Sequence, residues 1–228
     1  MGIVDQHSIE RALNASGWCW LPPAAVEDPL EFLRLLGPKV TAKRGGPNHH
    51  ELRPYTRENA PLGSMSAMTG TDAQPRHTDA AYVPEPPRYT VLQCLAEGER
   101  PCPTWLWPMD TARLRKDRPH ELTDPIWVVQ GGGYGAFYCT AMDVHDSAVR
   151  LRYDPLCMRS IVRHSETVAA AEAAIDNYSI RAEVVWESGA ILIVDNWICL
   201  HARGDGAASA PYRRLRRWYI GAHHGLGT

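Results

Sequence analysis

The chain has 228 residues, 44% of them hydrophobic, and its 24 Lys and Arg nearly balance 26 Asp and Glu for a formal net charge of -2. That length suits a single domain over residues 1–228, and the balanced charge gives no long-range field to attract nucleic acid or an anionic membrane. Asp5 and Glu10 interrupt the N-terminus before any apolar run develops, so no signal peptide or membrane span is expected, and six scattered cysteines (Cys19, Cys94, Cys102, Cys139, Cys157, Cys199) without a C-x-x-C pair point to reduced thiols in the cytoplasm.

In chain order, Ile9, Ala12 and Leu13 at helical spacing predict a helix over 7–17 with Ser8 as its N-cap. A strand through Gly17-Trp18-Cys19-Trp20-Leu21 follows and stops at Pro22-Pro23, and a second helix is predicted over 29–36. Residues 43–73 hold no sustained period and read as a long functional loop, the kind that forms a lid. From Tyr89 the segments YTVLQCL, PTWLWPM, PIWVVQ and VRLRYD read as strands. A late alanine-rich helix over 166–178, with Ser165 positioned to cap it, interrupts them before the last strands, AILIVDNW (190–197) and RRLRRWYIG (213–221). Many short strands with one late helix predict a mainly β fold with flanking helices, a sandwich or barrel, because the strand-helix alternation of a doubly wound sheet is missing.

The chemistry centres on QPRHTDAAY. In an extended chain, side chains two apart point to one side, so His77 and Asp79 can converge on one cation while Thr78 faces away. H-x-D alone is a weak signal, since a surface His beside a carboxylate arises often by chance. A third ligand is available at His201, expected just beyond the end of AILIVDNW, and two His with one carboxylate form the facial triad typical of Fe(II) oxygenases. Arg213 and Arg217 share one strand face with Leu215 and Tyr219, so a guanidinium beside a cationic metal site anticipates an incoming carboxylate. The alternative is a solvated edge strand, which is the role expected of Arg214 and Arg216.

These segments resemble the taurine dioxygenase and clavaminate synthase-like superfamily of Fe(II)/2-oxoglutarate oxygenases. RHTDAAYVPEPPRYTVLQCL, PCPTWLWPMD, WESGAILIVDNWICLHARGDG and YRRLRRWYIG stand in the family's order over the last two thirds of the chain. The resemblance implies a double-stranded β-helix, a jelly-roll or cupin-like barrel, with His77, Asp79 and His201 as iron ligands. It also implies 2-oxoglutarate held by Arg213 and Thr104, dioxygen as oxidant, and Arg217 gripping an anionic substrate group; PCPT stands here where the family has Gly-Gly-Asp-Thr. The expected reaction is hydroxylation of a small anionic metabolite such as an amino acid, with desaturation or cyclisation open; because Asp79 fills the position that family halogenases leave vacant, chlorination is disfavoured. Tyr82, Arg44 and His50 are further candidate substrate contacts, and the oligomeric state stays open.

Two other readings compete. A jelly-roll protein could keep the ligands and bind without turnover. GGGYGA, from Gly131 to Ala136, satisfies G-x-G-x-x-A with Asp154 downstream, as a nicotinamide enzyme would need, although no helix pattern follows it. The pairs His49-His50 and His223-His224 read as surface histidines, since adjacent side chains diverge.

Overall fold

The computed structural model describes residues 5–26, 28–41, 46, 47, 49–145 and 148–222; Arg44 and the pair His223-His224 lie outside them. Helix α1 (Gln6–Ser16) begins one residue earlier than its pattern suggests, because Asp5 rather than Ser8 caps it. The Asp5 carboxylate accepts both the Ser8 N–H (2.9 Å) and the Ser8 hydroxyl (2.8 Å), two bonds where a serine cap offers one oxygen. Gly17, at φ 72, closes the helix in the left-handed conformation. Strand β1 (Trp18–Leu21) and helix α2 (Pro29–Leu36) follow as predicted.

The predicted irregular stretch contains order that its sequence hides. After β2 (Lys39–Val40) come β3 (His50–Leu52) and α3 (Met65–Thr69), each too short to display a period. The chain continues through β4 (Tyr89–Ala96), β5 (Thr104–Pro108), α4 (Thr111–Asp117), α5 (His120–Thr123) and β6 (Trp127–Gly131). Next come β7 (Tyr134–Cys139), β8 (Met142–His145), β9 (Ala148–Leu151), β10 (Met158–Ser160) and α6 (His164–Tyr178). The last strands are β11 (Ala182–Val184), β12 (Ile191–Asp195), β13 (Cys199–Arg203) and β14 (Arg214–Ile220).

Two expectations are corrected here. Ser165 does not cap α6: the helix starts at His164, whose Nδ1 accepts the Ser160 N–H at 3.1 Å and draws the turn back past the serine. The glycine-rich GGGYGA does not open a nucleotide site, because Gly132 (φ 61) and Gly133 (φ 81) make the turn of a β6–β7 hairpin and a strand follows in place of a helix.

The architecture is a double-stranded β-helix. One sheet runs in the order β1-β12-β4-β14-β2, with β3 also on β14, and faces a second sheet in the order β11-β5-β13. Alternation decides which side chains meet between them. Leu92 and Cys94 of β4, Leu106 of β5, Leu192 and Val194 of β12, Cys199 of β13 and Leu215 of β14 form the inner core with Trp186. The residues between them, Val91, Ile191, Ile193, Trp218 and Ile220, point outward and are covered by Ile9, Leu13, Phe32 and Leu33 of α1 and α2. On the outer side of the smaller sheet, a third layer built from α4, α5, α6 and β6–β10 buries Trp127, Tyr153 and Met158 against Leu200. No helix among the described residues is long and apolar enough to cross a membrane.

Leu192, fully buried between the two sheets, should cost about 3 kcal/mol when truncated to alanine. The fully exposed Leu62 should tolerate the same change within about 0.5 kcal/mol, as urea unfolding of both variants would measure.

Candidate metal centre

His77 and His201 meet through their backbones before their side chains meet anything. Each donates its N–H to the other's carbonyl at 3.0 Å, so the segment before Asp79 is sewn to the middle of β13 as an antiparallel bridge. His201 therefore sits inside a strand, not beyond the end of one as the sequence suggests. Directly opposed residues in such a bridge share a face, and the two rings lie 4.8 Å apart. Thr78 turns the other way, accepting the Tyr153 N–H at 3.0 Å. Asp79 completes the group: one ligand atom from each of His77, Asp79 and His201 falls within 4.8 Å of the others, and all three side chains are buried.

The donor set fits a cation. His77 donates from Nδ1 to the Pro75 carbonyl at 2.9 Å, which leaves its Nε2 lone pair free. Burial, with His201 adding to it, pushes the His77 imidazolium down and keeps that ring neutral. Burial would push the Asp79 carboxyl up, yet Arg217, His201 and His77 together hold it well below the usual carboxylate range. Its two oxygens differ. Oδ1 accepts from Arg217 Nη1 at 2.6 Å and Tyr219 Oη at 3.3 Å, whereas buried Oδ2 has no hydrogen-bond donor and lies 3.2 Å from His201 Nε2. A carboxylate oxygen and an imidazole nitrogen 3.2 Å apart have the spacing of two ligands on one shared metal ion.

Long-range contacts hold the group in place. Asn196, fully buried at the end of β12, accepts the Asp79 N–H at 2.7 Å and donates to the Asp79 and Pro87 carbonyls at 3.0 Å each. Arg152 donates to the carbonyls of Ala81 and Val83 (2.6 Å each) and Pro84 (2.8 Å), fixing the turn that follows Asp79. Arg76 pairs with Glu172 and with Asp176 (2.6 Å) on α6, fixing the approach to His77.

The triad opens into a cavity of about 540 Å³ between β3, α3, β13 and β14, which Thr104, Arg213, Arg217, Tyr82 and His50 also line. Arg213 is 4% exposed and pairs with no carboxylate among the described residues. Thr104 Oγ1 accepts from Trp186 Nε1 at 3.0 Å, which leaves its own O–H to donate. Arg217 is engaged by Asp79 through Nη1 while its Nε has no partner. Arg214 is exposed and Arg216 half-buried on the other face, with Arg214 3.5 Å from Glu51. Asp154, which the sequence offers only as the acid downstream of the glycine-rich motif, is 8% exposed, lines the cavity and pairs with no cation among the described residues. Its Oδ1 accepts the Leu156 N–H at 2.8 Å. The RYD run at the end of a strand pattern was the available signal.

The fold is shared with solved oxygenase structures. An asparagine oxygenase in complex with Fe(II), 2S,3S-3-hydroxyasparagine and succinate matches with a TM-score of 0.69 at 14% identity, over 94% of this chain and 78% of that one. The non-heme iron oxygenase OrfP in complex with Fe and alpha-ketoglutaric acid gives 0.61 at 18% identity, over 83% and 62%. OrfP with Fe, succinate and (3S)-hydroxy-L-Arg gives 0.60 at 20%. The chain thus spans less than two thirds of OrfP, and no protein-family model or curated protein matches it.

Asn196→Ala should weaken Fe(II) binding by about 10- to 100-fold through misplacement of Asp79, as equilibrium dialysis would measure. The neighbouring Asp195 carboxyl is pushed up to about 6 by burial, against Arg88 and the Trp197 N–H. An acid raised on folding costs stability wherever the folded state carries its charge: nothing below the unfolded value near pH 4, progressively more between pH 4 and 6, and fully above that. Asp195→Asn should therefore gain roughly 2 kcal/mol at pH 8 and nothing at pH 4, by thermal unfolding at the two pH values.

Proposed function

We propose that the protein is a non-haem Fe(II), 2-oxoglutarate-dependent dioxygenase that hydroxylates an unactivated C–H of an amino acid or related small molecule, with residues 1–228 acting as one domain. The observation that carries this reading is that a buried His-Asp-His donor set and a buried guanidinium without a carboxylate partner open into the same cavity. Both neighbours support it, since they were solved with iron, and with succinate and hydroxylated amino acids.

In this reading His77, Asp79 and His201 hold Fe(II). When bound, the iron, with 2-oxoglutarate and dioxygen, supplies the oxidant for the C–H bond and leaves succinate and carbon dioxide. The chain's own residues position and exclude. Arg213 offers a fork and Thr104 a hydroxyl to the distal carboxylate of 2-oxoglutarate. Arg217 meets a substrate carboxylate with the donors that Asp79 leaves free, and Tyr82 closes one side of the cavity as a neutral phenol, its ionisation opposed mainly by burial. Asp154 adds a negative charge, which suits a substrate bearing an ammonium or guanidinium as well as a carboxylate. This extends the expected anionic metabolite to a zwitterionic one. The net charge of -2 and the free cysteines support a reducing, cytoplasmic setting without nucleic-acid partners.

Anaerobic addition of Fe(II) and then 2-oxoglutarate should produce a weak visible charge-transfer band that is lost in His77→Ala and weakened in Arg213→Ala. A folded, iron-loaded protein that shows no band would remove the cosubstrate assignment and leave a metal-binding protein. Asp154→Asn should raise KM for an amine-bearing substrate about tenfold with 2-oxoglutarate affinity unchanged, a loss typical of one charge-assisted hydrogen bond.

A further inference from the structure

Arg203 lies two residues from His201 on β13, so both side chains enter the same cavity. It is directly opposite Thr104 in the β13–β5 register. It is 9% exposed and has no carboxylate partner among the described residues. Its partners are neutral oxygens, all on one segment. Nη1 donates to Ser66 Oγ at 3.3 Å, and Nη2 to the carbonyls of Gly70 at 2.6 Å and Asp72 at 2.7 Å, while Nε has no partner. Gly70 presents its carbonyl at φ 60, a conformation that favours glycine. The tethered segment is also a wall of the cavity, through Ser64, Met65, Ser66, Ala67 and Met68.

Arg203 therefore lines the same cavity as Arg213, and neither forms an ion pair among the described residues. Burial foremost, with the charge of Arg203 adding to it, disfavours the charged form of Arg213. Asp72 offsets part of the charge on Arg203, and an incoming carboxylate would offset the charge that remains on both guanidinium groups.

We propose that Arg203 is a positioning residue that couples occupancy of the carboxylate site at Arg213 and Thr104 to closure of the 64–72 segment over the cavity. The inference rests on the cosubstrate reading above. A dicarboxylate bound at Arg213 and Thr104 attracts the neighbouring Arg203 guanidinium as well, and an Arg203 fixed from both sides firms the strap it makes with Ser66, Gly70 and Asp72. Coupling of this kind is reciprocal: the factor by which the cosubstrate firms the segment is the factor by which the held segment tightens the cosubstrate.

The test is amide hydrogen exchange on the full chain, iron-loaded and anaerobic, with and without 2-oxoglutarate. In the wild type, protection of residues 66–72 should rise about tenfold on cosubstrate addition, within the usual range for coupled sites. Arg203→Met should lose that rise and bind 2-oxoglutarate about tenfold more weakly by the same linkage, with Fe(II) affinity unchanged. Arg203→Lys, which keeps the charge but cannot reach three acceptors, should fall between. A purely structural strap would speed exchange equally with and without cosubstrate in Arg203→Met; an unchanged ratio overturns the proposal. A charge-transfer band in the wild type with no change in exchange over 66–72 overturns it without any variant. Absence of the band itself overturns the proposed function, and this inference with it.

Discussion

The site depends on one backbone contact, the reciprocal pair of hydrogen bonds between His77 and His201. Residues 124 positions apart in the chain (201 minus 77) become cross-strand neighbours, and a directly opposed pair has its side chains on one face by construction. Side chains alone could not bring two imidazoles and a carboxylate together without a large loss of rotamer freedom. The jelly roll spends its geometry on that bridge: β13 is held along its length by β5 on one side, the bridge covers its other side, and the entering segment is fixed by Arg76 on one side and Arg152 on the other.

Electrostatics then divides the cavity. Asp79 is the anion that the buried cations and imidazoles require, and its two oxygens are used differently, Oδ1 by Arg217 and Tyr219 and Oδ2 toward His201. Among the described residues Arg213 and Arg203 form no ion pair with a carboxylate, and Asp154 none with a cation. A cavity that leaves both signs of charge uncompensated is costly as an empty space and well matched to ligands that carry them. The same logic separates the two sides of the chain at β14: Arg217, and Arg213 just before the strand, line the cavity, whereas Arg214 reaches Glu51 at the surface.

What could be read in the sequence was whatever has a short period or a fixed local spacing. The period of two placed Arg213, Leu215, Arg217 and Tyr219 on one face and paired His77 with Asp79, whereas His201 was read from its place after a buried apolar strand. The strands β4, β5, β12 and β14 were legible because each is bounded by Pro, Gly or charge. Elements of three to five residues such as β3 and α3 were not, since no period fits in them. The cap of α6 was misplaced because the competing interaction is a local one that a capping rule does not consider, an imidazole at His164 accepting a backbone N–H four residues upstream. Asn196 and Arg152 were missed because their roles exist only across gaps of scores of residues, and no local pattern marks an asparagine that will clamp a distant backbone.

The most direct measurement is the metal itself. Crystals grown anaerobically with Fe(II) and examined at the iron absorption edge should show one anomalous peak within about 2 Å of the His77 and His201 imidazoles and the Asp79 carboxylate. That result would establish the triad on which every other assignment rests. A fully iron-soaked crystal with no peak there, or with its peak on other residues while Arg217 alone neutralises Asp79, would contradict the account at its base.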